Sequence, residues 1–169
     1  VADLILTDGI QIVRADLHRP DHQRAVLDLV DCYARDPMGG GLGISSEVRE
    51  YLIEGLKKHP TTLVFLAYEG QQPIGLAICF LGFSTFAARP LLNVHDLVVR
   101  PEHRGSGIAR RLLEYIEEQA RRLGCCKLTL EVRADNAAAK HAYRAQGFRG
   151  LEPEPGAPMI WFCNKPLDS

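Results

Sequence analysis

Two stretches of this chain carry residue types that can do chemistry. One is RPEHRGSGIARRLL (100–113), where Gly105 and Gly107 follow the apolar LVV (97–99) and precede an amphipathic run. The other is NVHDLVV (93–99), where His95 and Asp96 stand side by side. An imidazole with a pKa near 6.5 is suited to accepting a proton at neutral pH. In a regular strand the two would point to opposite faces, His95 with Leu97 and Val99, Asp96 with Val94 and Val98.

A glycine pair between a strand and a helix has three anion-binding precedents. A P-loop needs Gly-Lys-Ser/Thr after its glycines, and none follows Gly107. A dinucleotide fingerprint needs a third glycine where Arg110 stands, and it belongs in an early strand–helix–strand unit rather than late in the chain. There remains a nest, in which the N–H groups of residues 104–109 converge at a helix N-terminus suited to a diphosphate, with the Arg104 side chain adding positive charge nearby. On spacing alone, a tight turn that holds nothing fits equally well.

The elements that must position these residues are legible from periodicity. IQIVRA (10–15) alternates as a strand, and residues 20–35 carry Val26, Leu29, Val30 and Tyr33 at helical spacing. DPMGGGLG (36–43) breaks the chain. Ser45 or Ser46 caps a second helix with Val48, Leu52 and Leu56 on one face, ending near His59–Pro60. TLVFLAYE (62–69) and PIGLAICFLGFS (73–84) form a hairpin across GQQ, and LLNVHDLVV (91–99) is the next strand.

Residues 105–123 predict a helix with Ile108, Leu112, Leu113, Ile116, Ala120 and Leu123 inward, ended by Gly124. KLTLEVR (127–133) predicts a strand, 136–146 a short helix, and GFRGL and MIWFC closing strands. The order gives a single α/β (mixed α+β) domain over 1–169, with a partly parallel twisted sheet of six to seven strands and about four helices.

Composition sets bounds on function. A net charge of −1 offers no field for nucleic acid, and no apolar run reaches the length of a membrane span. No charged-then-apolar leader opens the residues, so the expectation is cytoplasmic. The five cysteines have no C-x-x-C spacing, and the histidines are scattered, so no metal site is expected. His18, His22 and His59 read as surface residues.

DLVVRPEHRGSGIARRLL resembles the acetyl-CoA-binding motif of the GCN5-related N-acetyltransferases, [Q/R]-x-x-G-x-[G/A], carried here by Arg104, Gly107 and Ala109. NAAAKHAYRAQGF (136–148) resembles that family's N-x-x-A-x-x-x-Y-x-x-x-G-F segment, through Asn136, Ala139, Tyr143, Gly147 and Phe148. The two motifs, with the strand between them, cover residues 96–148, within an acetyl-CoA-binding core of about 91–148.

The resemblance implies an acetyl-CoA-dependent N-acetyltransferase that moves the acetyl group directly to an amine. It places the backbone of Leu97, Val98 and Val99 against pantetheine. It places Arg104, Gly105, Ser106, Gly107, Ile108 and Ala109 around the pyrophosphate, with Asn136 and Ala139 on the opposite wall. Tyr143 takes the position of the general acid for the departing thiolate. The amine must lose a proton before it attacks, and His95, then Asp96, are the candidate bases.

Polyamine acetyltransferases of this family carry a glutamate where His95 stands, which argues against a polyamine acceptor. The segments 34–45 and 83–92, the latter with Phe83, Phe86 and Arg89, are the expected acceptor walls. Apart from Asp36 they hold few carboxylates, which favours a small-molecule amine over a polycation. A peptide or protein acceptor, a silent CoA-binding module and a homodimer are left open.

Overall fold

The computed structural model describes residues 4–5 and 9–151. In chain order these form β1 (Leu4–Ile5), β2 (Ile10–Arg14), α1 (Pro20–Arg35), α2 (Ser46–Lys58), β3 (Thr62–Glu69), β4 (Gln72–Ser84), β5 (Arg89–Val99), a 3-10 turn (Pro101–His103), α3 (Ile108–Arg122), β6 (Leu128–Leu130) and α4 (Ala137–Ala145). The six strands make one sheet in the order β1-β2-β3-β4-β5-β6, antiparallel except for the last pair. The α3 crossover makes β6 parallel to β5, as two strands joined through a helix require.

Each face of the sheet has its own core. Leu63, Phe65 and Ala67 of β3 pack with Ile108, Leu112, Tyr115 and Ile116 of α3. The alternate residues Val64 and Leu66 pack on the other face with Val26 and Leu29 of α1 and Ile53 and Leu56 of α2. This period-2 division in fully buried strands is why β3 and β4 read as nearly continuous apolar runs. Gly75 of β4 faces the start of α3. A Cβ there would lie 3.1 Å from both Ile108 Cγ2 and Leu112 Cδ1 and 3.3 Å from Val98 O, so the first turn of α3 rests directly on bare backbone.

Local signals act where expected. Ser45 caps α2, accepting from Val48 N at 3.1 Å. In the hairpin Gly70 carries the positive φ (+58°) of a two-residue loop, the II′ pattern. Gly124, at φ +72°, closes α3, with Cys125 N donating to Ala120 O and Gly124 N to Arg121 O, a Schellman end.

Several expectations are corrected. α3 begins at Ile108 rather than 105, because Gly105 and Gly107 are both left-handed. Leu123 is exposed and Tyr115 takes its place in the core. On α2 the inward face is Ile53 and Leu56, while Val48 is exposed. His22 is buried, its Nδ1 accepting from Asp16 N at 2.8 Å. β6 is only three residues long, and residues 148–150 of GFRGL carry no strand. MIWFC lies outside the described residues.

Candidate active site

β5 carries the site because it is irregular in the middle. Ile78 of β4 pairs with Asp96, and the next residue, Cys79, pairs with Val94, leaving His95 as the extra residue of a β-bulge. The bulge resets the alternation: Val94 belongs to the α3-side core, whereas Val98 belongs to the α1–α2 side. The regular-strand expectation that Val94 and Val98 share a face therefore fails, and so does the separation of His95 from Asp96. The His95 ring meets Phe80, a residue of the α1–α2 side, edge-on at 5.3 Å. Asp96 pairs opposite Ile78 on that same side and acts electrostatically on Tyr33 of α1.

Beside the bulge the sheet opens. β6 pairs with β5 only over Leu92–Val94, and among the described residues 95–99 have no strand partner on that side. The divergence also ends the predicted strand 127–133 at Leu130. Among the described residues the backbone edge of Leu97, Val98 and Val99 is therefore left without a strand partner on that side. Their side chains remain anchored, Val98 at 3% exposure.

At the end of β5 the chain turns into α3. His103 N and Arg104 N donate to Arg100 O and Pro101 O, so the backbone N–H of Arg104 is already used. Among the described residues the N–H groups from Gly105 to Arg110 donate to no protein acceptor, and the first helical bond of α3 runs from Arg111 N to Gly107 O at 3.1 Å. The run of free donors is therefore 105–110, shifted by one from the expected 104–109. Gly105 (φ +78°) and Gly107 (φ +86°) are needed for their left-handed backbone, and among the described residues nothing beyond the chain neighbours lies within 4 Å of a Cβ built on either.

No acidic residue occupies the first turn of α3, which instead carries Arg110 and Arg111, and no side chain caps it. A positive helix end left without a carboxylate is suited to an external anion. Ser106 Oγ donates to His103 O within the turn. The Arg104 side chain does not stand free beside the donors: it bonds Val99 O and the carboxylate of Asp36.

The second motif forms α4. Asn136 Oδ1 accepts from Ala139 N at 3.1 Å, capping the helix. Its side-chain oxygen is thus engaged in the cap, while no protein acceptor is shown for its amide NH2 among the described residues. Two turns on, Tyr143 is 8% exposed, edge-on to Phe148 at 5.7 Å. Burial, with a smaller contribution from Tyr33, pushes the Tyr143 phenol up to about 12.

Asp96 is half-buried, and loss of water raises its pKa above the usual carboxylate range against a lowering by His95. Tyr33 is raised for the same reason, with Asp96 and then Asp36 adding to it. Tyr33 thus stands within electrostatic reach of Asp96, Asp36 and Tyr143. The sequence offered it only as an apolar-spaced helix residue, and it does pack against the α1–α2-side core.

The other predicted wall lies elsewhere. Arg89 donates to Gly124 O at 3.0 Å beside the end of α3, about 20 Å along β5 from His95 at strand rise. Cys79 is buried, its thiol pushed up to about 12, and so is a packing residue rather than a nucleophile. Among the described residues no helix is long and apolar enough to cross a membrane.

Residues 27–148 match the profile of the acetyltransferase (GNAT) family, and the chain belongs to that family. It is 44% identical over 69 residues to streptothricin acetyltransferase of Streptomyces lavendulae, a match covering 41% of this chain and 36% of that one. It is 27% identical to thialysine N-epsilon-acetyltransferase of Caenorhabditis elegans over 144 residues, 85% of this chain and 84% of the relative. The match to the Streptomyces enzyme thus spans about a third of that relative's length. Among solved structures, an aminoglycoside acetyltransferase from a soil metagenomic sample, in complex with sisomicin, superposes with a TM-score of 0.72. That likeness covers 93% of this chain and 97% of the other at 15% identity, a likeness of fold.

Proposed function

We propose that the protein transfers the acetyl group of acetyl-CoA to a primary amine of a small molecule. The observation that carries this reading is the uninterrupted run of free N–H donors from Gly105 to Arg110, at the end of a strand whose neighbour has swung away. A diphosphate fits the first feature and an extended pantetheine arm the second, so the donor would lie along β5 with its thioester near the bulge. Asn136 and Ala139 would face it from the start of α4.

The acceptor enters from the α1–α2 side, where Asp96, His95 and Tyr33 face it. Asp96 holds the ammonium, and the exposed His95 passes its proton to water. The nitrogen then attacks the carbonyl, whose oxygen takes a hydrogen bond from a strand N–H near Val98 or Val99. Tyr143 donates to the departing sulfur. A thiolate of pKa ~8.5 is a weaker base than a phenolate near 12, so in this environment the phenol serves first as a hydrogen-bond donor that stays protonated. Relatives named for streptothricin and thialysine support a small amine.

Single-turnover acetyl transfer from acetyl-CoA to a panel of streptothricin, thialysine, an aminoglycoside and a peptide with a free N-terminus tests the reading. Transfer to one of the small amines is expected. Tight CoA binding with no acceptor consumed would point to a silent binding module instead.

A further inference from the structure

The loop between α1 and α2 and the turn before α3 meet at one ion pair. Arg104 Nη2 donates to Asp36 Oδ2 at 2.8 Å, while its Nε donates to Val99 O at 3.2 Å. One guanidinium therefore joins the end of β5, the glycine turn and the C-terminal cap of α1. Asp36 is the more sheltered partner, its side chain 14% exposed against 50% for Arg104. It also organises the start of the loop: Oδ1 accepts from Met38 N at 2.8 Å, and its carbonyl from Gly39 N at 2.8 Å and Gly41 N at 3.0 Å. The far end of the loop is held by a second carboxylate of α1, as Asp31 Oδ1 accepts from Ile44 N at 2.9 Å. Between these anchors lie Gly40, at φ +122°, and Leu42, 81% exposed.

The direction of this pairing is informative. An anion-binding turn gains from every free positive charge, yet here a carboxylate from another element neutralises the turn's own arginine. The contact works against affinity for a diphosphate, so the donor does not account for it. What it does account for is spacing, because it fixes the end of α1, and with it Tyr33, against the turn at the end of β5.

We propose that Asp36 is a positioning residue: its pair with Arg104 is a strut that sets the acceptor-side loop 36–43 against the donor turn. Acceptor recognition thereby depends on a contact that touches neither substrate. The inference rests on reading 105–110 as the donor site and 36–43 as an acceptor wall.

Asp36→Asn tests it. An asparagine has one side-chain oxygen, which the N–H of Met38 occupies, so its NH2 group would face the guanidinium donor to donor. The local turn can still form, but with the strut broken it opens more often. The variant and the wild type are compared by amide exchange without ligand, by coenzyme A titration, and by kinetics with the amine of the panel that turns over fastest.

The expected result is exchange at 38–43 at least tenfold faster, a coenzyme A Kd unchanged or lower, and an acceptor KM raised at least threefold with a smaller change in kcat. Asp36→Glu, which keeps the charge, recovers most of the KM. Unchanged exchange at 38–43, or a coenzyme A Kd that weakens in step with the acceptor KM, overturns the strut. A wild type that binds no coenzyme A overturns the donor reading instead, and the exchange comparison still reports on the strut.

Discussion

His95 and Asp96 face the same side of the sheet, although they are consecutive residues of one strand. The bulge opposite Ile78 and Cys79 makes this so, adding one residue to β5 and shifting the alternation beyond it. A carboxylate and an imidazole thereby meet the α1–α2 side together, where a regular strand would bury one of them against α3.

The pair leads to a test in which activity and stability move in opposite directions. Burial raises the folded-state pKa of Asp96, so the folded protein binds this proton more readily than the unfolded chain. Its contribution to stability is complete below the unfolded carboxylate pKa and is lost as pH rises through the raised folded value. Asp96→Asn removes that loss. The variant is expected to melt higher than wild type at pH 7, with the gap closing below about pH 4, while kcat/KM falls at least tenfold. Melting curves across pH with matched kinetics check both signs.

Tyr143→Phe deletes one hydroxyl from a buried ring whose packing against Phe148 remains. A fall in kcat of tenfold or more, about 1.4 kcal/mol in the barrier, is expected without a comparable change in KM for acetyl-CoA. With the phenol near 12, the wild-type kcat profile should show no basic limb from this residue below about pH 10. A rate unchanged in the phenylalanine variant would remove Tyr143 from the chemistry.

Gly107→Ala places a side chain on a backbone at φ +86°. The left-handed conformation costs about 1–2 kcal/mol for a residue with a Cβ, seen as a lower Tm. Among the described residues no atom beyond the chain neighbours is close enough to clash, so a further loss in coenzyme A affinity of tenfold or more, measured by calorimetry, would come from the added methyl meeting the ligand. Loss of stability alone, with affinity intact, would mean that the turn holds nothing.

Asn136 separates capping from ligand contact. Asn136→Ala loses the N-cap, at a cost of about 1 kcal/mol, and loosens the helix that carries Tyr143. Asn136→Ser restores a capping oxygen without the amide group. Serine activity close to wild type marks the residue as a cap; serine activity as low as alanine marks its amide as a donor contact. Thermal melts and acetyl-CoA KM values for the two variants decide.

The order of elements was legible because the buried strands and the α3 stripe are periodic over many residues, and because Ser45, Gly70 and Gly124 sit where cap and turn geometry demand them. The faces of β5 were not, since NVHDLVV alternates acceptably on paper and no residue type announces a bulge. The divergence of β6 was hidden for a similar reason: Val132 continues the pattern of Leu128 and Leu130, yet the ladder to β5 ends at Leu130. The Asp36–Arg104 pair joins residues 68 positions apart, a relationship that no local spacing carries. Tyr33 shows the same limit: helical spacing rightly packed it against the α1–α2-side core but said nothing of its electrostatic link to Asp96.

Gly75 has a consequence for the length of the site. The pantetheine arm of acetyl-CoA has a limited reach, so a protein that grips the donor in an extended form at both the diphosphate and the thioester must keep those two grips within a narrow range of spacing. On the proposed reading one grip belongs to α3 and the other to the bulge of β5, and the two share a bearing point on β4, where Ile108 and Val98 both close on a residue without a side chain. The gauge of the site is thus written in a strand that touches neither end of the donor. A single methyl at position 75 would act as a shim, lifting the start of α3 and detuning reach without altering any group that binds or reacts.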